Sequence, residues 1–121
     1  VSPHHGEGWG MPIHDAINFK NEIIVTKFGG ITEFLDENSA NIIKHTMGPV
    51  KNMDWCSFYG SYQNWANPSK RSLKSLMREV YSSKKDDNKV NNAFSIVEKF
   101  DVDGVGKIIE EILKKDRFKH L

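Results

Sequence analysis

Residues 21–35, NEIIVTKFGGITEFL, are the stretch from which the fold is predicted. Their first part, NEIIVTKF, is a short apolar block rich in β-branched side chains, and Gly29-Gly30 follows it directly. A block of this kind that runs into paired glycines is typical of a strand entering a turn. Residues 31–35 are expected to pair back onto this strand, so that residues 21–35 form a β-hairpin.

Residues 1–20, which precede this stretch, are expected to form an irregular arm. Glycine and proline recur at short intervals around His4, His5 and Trp9, and both residue types interrupt regular structure. Four of the five histidines of the chain lie within its first 45 residues. A histidine-rich loop of this kind is either a reactive site or an inert tail.

Residues 36–121, which follow the stretch, are predicted to be mainly helical. A clean apolar stripe at three- and four-residue spacing follows Asn67-Pro68, a pair typical of a helix start. The same spacing predicts further helices; their ranges are residues 40–47, 55–66, 90–100 and 105–113. Residues 55–66 are rich in aromatic side chains, which are expected to pack in the core, and a twisted strand is their alternative structure. The alternative role is stacking on bases by one or two of Tyr59, Tyr62 and Trp65, which lie just before the basic helix.

The predicted fold is a single α+β domain, mainly α, over residues 1–121. It has an irregular N-terminal arm (residues 1–20), a short β-hairpin or small sheet (residues 21–35), and four to five short amphipathic helices (residues 36–121). The chain is long enough for a hydrophobic core of its own, and its single cysteine excludes an intramolecular disulfide.

The apolar runs of the chain are all shorter than the roughly 20 residues that span a bilayer, so no transmembrane segment is expected. We therefore expect a soluble protein, either a secreted or delivered toxin domain or a cytoplasmic protein.

Charge is segregated along the chain, although the formal net charge is only +1. Residues 1–66 contain four basic and seven acidic residues, whereas residues 67–121 contain thirteen basic and nine acidic residues. A cluster of basic residues, here called the basic cluster, accounts for much of the excess: Lys70, Arg71, Lys74, Arg78, Lys84 and Lys85. Lys70, Lys74 and Arg78 are four residues apart, where like charges on a helix repel one another. A bound polyanion such as RNA would relieve this repulsion; a solvated surface is the alternative.

Acid–base chemistry by histidine is the candidate activity. Cleavage of RNA through its own 2′-hydroxyl needs a base, an acid and a cation for the phosphorane charge, and imidazole exchanges a proton near neutral pH. His14 and His45 are the candidate acid and base. Two further side chains complete the candidate catalytic set: Lys27 for the cation, with Lys20 and Lys44 as alternatives, and Thr46 for a hydrogen bond. The alternative is that these are surface histidines with no joint role.

Metal binding is not expected, and neither is any other cofactor. A site built from His4, His5, Glu7 and His14 is conceivable from its ligand types, but neighbouring histidines rarely share a metal and no metal-binding spacing is present. Residues 101–108, DVDGVGKI, resemble the start of an EF-hand calcium loop. The twelfth position of that loop is Ile112 instead of a bidentate glutamate, so the segment is predicted to connect two helices.

The chain resembles the compact C-terminal toxin nuclease domains of contact-dependent inhibition and colicin systems. The resemblance lies in its size and in three segments, His14-Asp15, Lys44-His45-Thr46 and residues 70–85. It implies a small metal-independent ribonuclease acting on structured RNA, with an acidic immunity protein as partner. The alternative function is a non-enzymatic binding module whose basic helical face docks on an acidic protein or nucleic acid.

Overall fold

The computed structural model describes the backbone of residues 1–117 and the side chains of residues 1–115. The chain forms an α+β domain with four α-helices and two small two-stranded sheets among these residues. The helices are α1 (Met11–Asn18), α2 (Lys70–Ser82), α3 (Asp87–Val97) and α4 (Val102–Arg117), and the strands are β1 (Ile24–Thr26), β2 (Asn41–Ile43), β3 (His45–Pro49) and β4 (Asn64–Pro68). Short 3-10 helices span Gly30–Glu33 and Glu98–Phe100. No helix in the described part of the chain has the length and apolarity needed to cross a membrane.

Strand β1 lies between two chain segments that run parallel to it. On one side it pairs in parallel with β2, with Val25 opposite Ile42. On the other side the N-terminal segment forms a parallel bridge from Ser2 to Val25, in which the Ser2 amide donates to the Ile24 carbonyl at 2.8 Å and the Thr26 amide donates to the Ser2 carbonyl at 3.1 Å. Three chain segments are therefore aligned, and their carboxyl ends meet at one edge.

The predicted hairpin at residues 21–35 is wrong in its second half. Strand β1 forms where a strand was predicted, but residues 31–35 do not pair with it. They lie in and directly after the 3-10 helix Gly30–Glu33, with Ile31, Phe34 and Leu35 buried. A helical turn brings all three side chains to one side, whereas a strand would direct Phe34 and Leu35 to opposite faces. Burial therefore favours the turn.

The helices predicted over residues 40–47 and 55–66 are also wrong. Residues 41–43 supply the parallel partner of β1, and β3 then pairs antiparallel with β4, with Met47 opposite Ala66. Residues 53–62 lie in turns between these strands, and Phe58 is 83% exposed. Pairing with distant strands outweighs local helical spacing here. The alternative prediction of a strand for residues 55–66 is correct only at the end of this range, where β4 begins.

The N-terminal arm contains a helix that the sequence analysis did not predict. Helix α1 follows Gly10, whose left-handed backbone (φ +85°) turns the chain into the helix, and Pro12 occupies its first turn. Proline is compatible with that position because the first helical amides have no partner within the helix. Ile13 and Ile17 of α1 are buried, so the arm is a structural part of the domain.

The three predicted C-terminal helices are confirmed as α2, α3 and α4. Helix α2 begins after Ser69, whose hydroxyl accepts a hydrogen bond from the Ser72 amide at 3.2 Å, and Pro68 belongs to β4 instead. The segment around Asp101 connects two helices as predicted, and its carboxylate accepts a hydrogen bond from the Gly104 amide at 2.6 Å. Asp101 thus stabilises the start of α4.

The hydrophobic core lies between the parallel sheet, α1 and α3. Its buried members come from five parts of the chain: Ile13, Ile17, Ile23, Val25, Ile31, Phe34, Leu35, Ala40, Ala93 and Val97. Trp9 and Phe100 pack against this core, each ring near the ring of Phe34. Helix α4 lies outside it, with Ile108 and Ile112 about half exposed.

The core assignment predicts opposite results for two phenylalanines. Replacing Phe34, which is 2% exposed, by alanine is expected to lower the free energy of unfolding by about 3–5 kcal/mol, because a large cavity is left. Phe58→Ala removes an exposed ring and is expected to change it by less than about 0.5 kcal/mol. Urea denaturation of both variants measures this, and similar losses for the two would contradict the assignment.

Candidate ligand site at the carboxyl edge of the parallel sheet

The carboxyl ends of the three parallel segments bring aromatic and imidazole side chains together. His4 follows the N-terminal segment, Phe28 follows β1, and His45 follows β2. The His4 Nε2 atom donates to the Phe28 carbonyl at 3.0 Å, and the His45 and Phe28 rings meet edge to face at 6.3 Å between centroids. Ligands of parallel sheets commonly bind outside this edge.

A glycine-rich loop, residues 3–10, leaves this edge and leads into α1. The Gly30 amide donates to the Glu7 carbonyl at 2.9 Å, so the loop lies directly on the chain leaving β1. A Cβ atom on Gly29 would collide with the Glu7 carbonyl, and one on Gly30 would collide with the Gly8 carbonyl. The close approach of the two backbones therefore requires the Gly29-Gly30 pair.

The start of α1 has no capping side chain and no acidic residue in its first turn. Few amides of this helix start are free, because Pro12 has no amide proton and the Ile13 and His14 amides donate to the Gly10 carbonyl at 2.8 and 2.9 Å. The chain thus combines a short parallel strand segment with a glycine-rich loop, and such loops receive phosphate groups in many nucleotide-binding proteins.

An open cavity of about 620 Å³ lies beside the glycine-rich loop. It is lined by His5, Gly6, Glu7, Gly8, Phe28, Val50, Met53, Tyr59, Gln63, Asn64 and Trp65. These residues supply aromatic faces, two amides, one carboxylate and one imidazole, and no lysine or arginine is among them. The volume and the mixture of apolar walls with few polar groups are typical of small-molecule sites.

The side chain of His5, in the cavity wall, is held in place by contacts with β4. Its backbone carbonyl accepts from the Ala66 amide at 3.0 Å, and its Nδ1 atom donates to the Ala66 carbonyl at 2.7 Å. Its ring stacks on the indole of Trp65, with the centroids 4.2 Å apart and the planes 19° apart. An exposed imidazole is therefore fixed to β4 in one orientation.

The predicted catalytic residues His14 and His45 have different neighbours. His14 is on α1, where its Nδ1 atom accepts from the Asn18 amide group at 3.3 Å and its ring lies 6.0 Å from that of Phe34. His45 begins β3 and contacts Phe28. Neither residue lines the cavity, and no hydrogen bond or ring contact between described residues joins the two.

The remaining predicted catalytic residues do not form a site with these histidines. The Lys27 ammonium group donates to both carboxylate oxygens of Glu37, at 3.0 and 3.1 Å, and these bonds hold the pKa of the Glu37 carboxyl below its usual value. Thr46 is exposed on β3. The Lys27 ammonium group is thus paired with a carboxylate and is not free to bind a phosphate.

The basic cluster lies on an exposed surface of α2 and the loop after it. A shallow groove of about 450 Å³ is lined by Lys70, Arg71, Lys74, Ser75 and Arg78. None of the basic cluster forms an ion pair with another side chain in the described part of the protein. The groove shares no lining residue with the cavity at the sheet edge, so the chain has two separate surfaces of different chemistry.

A metal site is not formed by the described residues, since no three His, Cys, Asp or Glu side chains among them are grouped to hold an ion. Both ring nitrogens of His4 are already used, Nε2 for the Phe28 carbonyl and Nδ1 for the Ser2 hydroxyl at 3.2 Å. His4 thus holds the N-terminal segment on the chain leaving β1.

The sequence analysis missed most of the cavity. His5 and Glu7 were considered only as metal ligands. Tyr59 and Trp65 were assigned to the core, with stacking on bases as the alternative. The spacing of Gly6, Gly8 and Gly10 directly before a helix was the available signal, because repeated glycines at a helix start are typical of phosphate-binding loops.

No protein-family model, curated protein or solved structure matches the chain. The resemblance to toxin nuclease domains therefore stays a prediction, and the geometry of the site carries the functional argument.

The close approach at Gly30 predicts a large effect of one methyl group. Gly30→Ala is expected to lower the free energy of unfolding by about 1–3 kcal/mol, because the loop must move away from β1. Gly106→Ala is the matched control: nothing lies within 4 Å of its added Cβ, and alanine in a helix is expected to raise stability by up to about 1 kcal/mol. Urea denaturation compares the two, and equal effects would contradict the proposed packing of the loop.

Proposed function

We propose that this chain binds a nucleotide at the carboxyl edge of its parallel sheet. The base and ribose would occupy the cavity, and the phosphate groups would lie on the glycine-rich loop. One observation carries the proposal: residues 5–8, at the start of the glycine-rich loop, and Phe28, which follows β1, line one aromatic cavity where the parallel segments end. Nucleotides are common ligands of such an edge.

The aromatic walls of the cavity support the binding of a base. Phe28, Tyr59 and Trp65 line it, and stacking of a base on an aromatic ring contributes about 1–3 kcal/mol. Gln63 uses its carbonyl oxygen to accept from the Gly60 amide at 2.8 Å, which leaves its NH₂ group available to a base edge. Asn64 offers a second amide beside it.

Glu7 supports the binding of ribose. One of its carboxylate oxygens accepts from the Gly8 amide at 3.0 Å, which holds the side chain at the loop. A carboxylate has further acceptor capacity, and an acidic residue commonly accepts hydrogen bonds from ribose hydroxyls in nucleotide sites. The Glu7 carboxylate itself would repel a phosphate, so it suits a ribose hydroxyl.

Two tyrosines give a matched test of the cavity. Tyr59 lines it, whereas Tyr62 is 85% exposed and is not part of its wall. Tyr59→Ala is expected to weaken binding of the best nucleoside diphosphate by about fivefold or more, through loss of stacking, and Tyr62→Ala to leave binding nearly unchanged. Isothermal titration calorimetry with ADP, GDP, UDP and CDP measures the affinities. The proposal fails if the wild-type chain binds none of the four.

The ribonuclease hypothesis stays a prediction, as does the acidic immunity partner. It requires His14 and His45 to face one phosphate from two sides, with a free cation nearby. The rings have separate neighbours, and Lys27 is paired with Glu37. These contacts lend it no support, so the nucleotide site is preferred.

A second candidate function is binding of a polyanion by the basic cluster, as the non-enzymatic alternative in the sequence analysis expected. The favouring observation is the groove on α2, whose wall contains four basic side chains without described ion-pair partners. Repulsion between such charges is relieved when they neutralise the phosphates of a nucleic acid, and the counterions condensed on those phosphates are released.

Salt dependence tests this second function. The triple variant Lys70→Gln, Lys74→Gln, Arg78→Gln is expected to reduce the slope of log affinity against log salt for single-stranded RNA by about 2, since each lost phosphate contact removes about 0.7. A control with Lys99→Gln, Lys107→Gln and Lys115→Gln removes the same charge elsewhere and should leave most of the slope. Fluorescence anisotropy at four salt concentrations gives the slopes, and equal slopes for both variants would exclude the groove.

A further inference from the structure

His5 is the only residue of the cavity wall whose side chain can carry a positive charge near neutral pH. It directly precedes Gly6, Glu7 and Gly8, the part of the glycine-rich loop that lines the cavity. A phosphate on this loop would therefore lie near an imidazole. No lysine or arginine of the wall competes for that role.

The contact with Ala66 determines which nitrogen of His5 titrates. A carbonyl oxygen can only accept a hydrogen bond, so the 2.7 Å contact requires a proton on Nδ1. The proton that is gained or lost is then the one on Nε2. No hydrogen bond joins Nε2 to a protein atom in the part of the chain that the structure describes, so His5 can change its charge without breaking a contact.

His4 differs from its neighbour in this respect. Its Nε2 atom donates to the Phe28 carbonyl, so the neutral ring must accept at Nδ1, where the Ser2 hydroxyl lies 3.2 Å away. Protonation of His4 would turn Nδ1 into a donor and change this contact. The two consecutive histidines thus have different roles, with His4 holding the fold together and His5 available to a ligand.

We propose that His5 binds a phosphate group of the ligand through Nε2, so that affinity rises when the imidazole is protonated. The inference rests on the proposed nucleotide site and goes beyond it by naming the residue that donates a hydrogen bond to the phosphate. Protonated Nε2 would donate a charge-assisted hydrogen bond, which is stronger than a neutral one. The hydrogen bond to the Ala66 carbonyl and the stacking on Trp65 hold the ring in position for this contact in both protonation states.

Other titratable groups near the cavity are few and can be separated from His5. Glu7 and Tyr59 line the same wall, but both are present in the wild type and in a His5 variant, so the comparison of the two isolates His5. His45 contacts Phe28 from β3 and is the imidazole that could imitate His5. Replacing His5 in one variant and His45 in another therefore distinguishes the two residues.

The experiment compares His5→Asn with the wild-type full chain at pH 5.5 and pH 8.0. Asparagine retains a donor for the Ala66 carbonyl and removes the titrating nitrogen. The probe is the nucleoside diphosphate of ADP, GDP, UDP and CDP that binds best, with its nucleoside as reference. Because a terminal phosphate itself titrates near pH 6, the measured quantity is the ratio of wild-type to variant affinity at each pH.

We expect this ratio to be about tenfold larger at pH 5.5 than at pH 8.0 for the diphosphate, as for loss of one charge-assisted hydrogen bond. The ratio for the nucleoside is expected to be the same at both pH values. His45→Asn is expected to give a ratio that does not change with pH. If His5→Asn does not fold, as judged by its urea denaturation curve, His5→Gln replaces it.

Three outcomes would overturn the inference. A diphosphate ratio that is independent of pH shows that protonation of His5 does not contribute to phosphate binding. A pH-dependent ratio for His45→Asn instead of His5→Asn transfers the role to His45. Absence of binding of every nucleoside and diphosphate to the wild-type chain at both pH values removes the proposed function together with the inference.

Discussion

The parallel alignment of β1 with the N-terminal segment and with β2 is the constraint on which the rest of the structure depends. Val25 and Thr26 in β1 are completely buried, and both neighbouring segments bond to the same three-residue strand. Parallel neighbours need long connections, so the intervening chain must fold back over the sheet. Helix α1 makes one such connection, and residues 27–40 make the other.

The site follows from this alignment, because parallel segments release their chains at a common edge. The first segment continues into the glycine-rich loop, β1 continues into Phe28, and β2 continues into His45. The loop can lie on the exit of β1 only because glycine occupies positions 29 and 30. Residues 5–8 and Phe28 line the cavity at this edge, and β4 adds Trp65, whose ring stacks on that of His5.

The sequence predicted strand β1 and the helices α2, α3 and α4, and it missed α1, β2 and β3. Helices α2, α3 and α4 carry apolar residues at three- and four-residue spacing, which is visible within each segment. Strands β1 and β2 have three residues each, too few for a period, and β2 is recognised only through its pairing with β1. The aromatic spacing of residues 55–66 is regular, yet no partner covers Trp55, which is 79% exposed. Spacing alone cannot tell whether a covering element exists.

The candidate site was harder to predict than the fold, for a related reason. A count of histidines directs attention to His14 and His45, but these two side chains contact different residues in the folded chain. The residues that do share a wall, His5, Glu7 and Tyr59, are separated by up to some fifty positions in sequence and meet only through the parallel sheet and β4. The predicted basic surface needed no such convergence, because its residues lie on α2 and the loop directly after it.

Mapping of amide shifts by ¹H–¹⁵N NMR on addition of the nucleoside diphosphates tests the central claim most directly. The account predicts that saturating ligand shifts the amides of Gly6 and Gly8 and the indole of Trp65, with smaller changes on α2. Shifts confined to residues 70–85, or no shifts at millimolar ligand, would contradict a nucleotide site at the carboxyl edge of the parallel sheet.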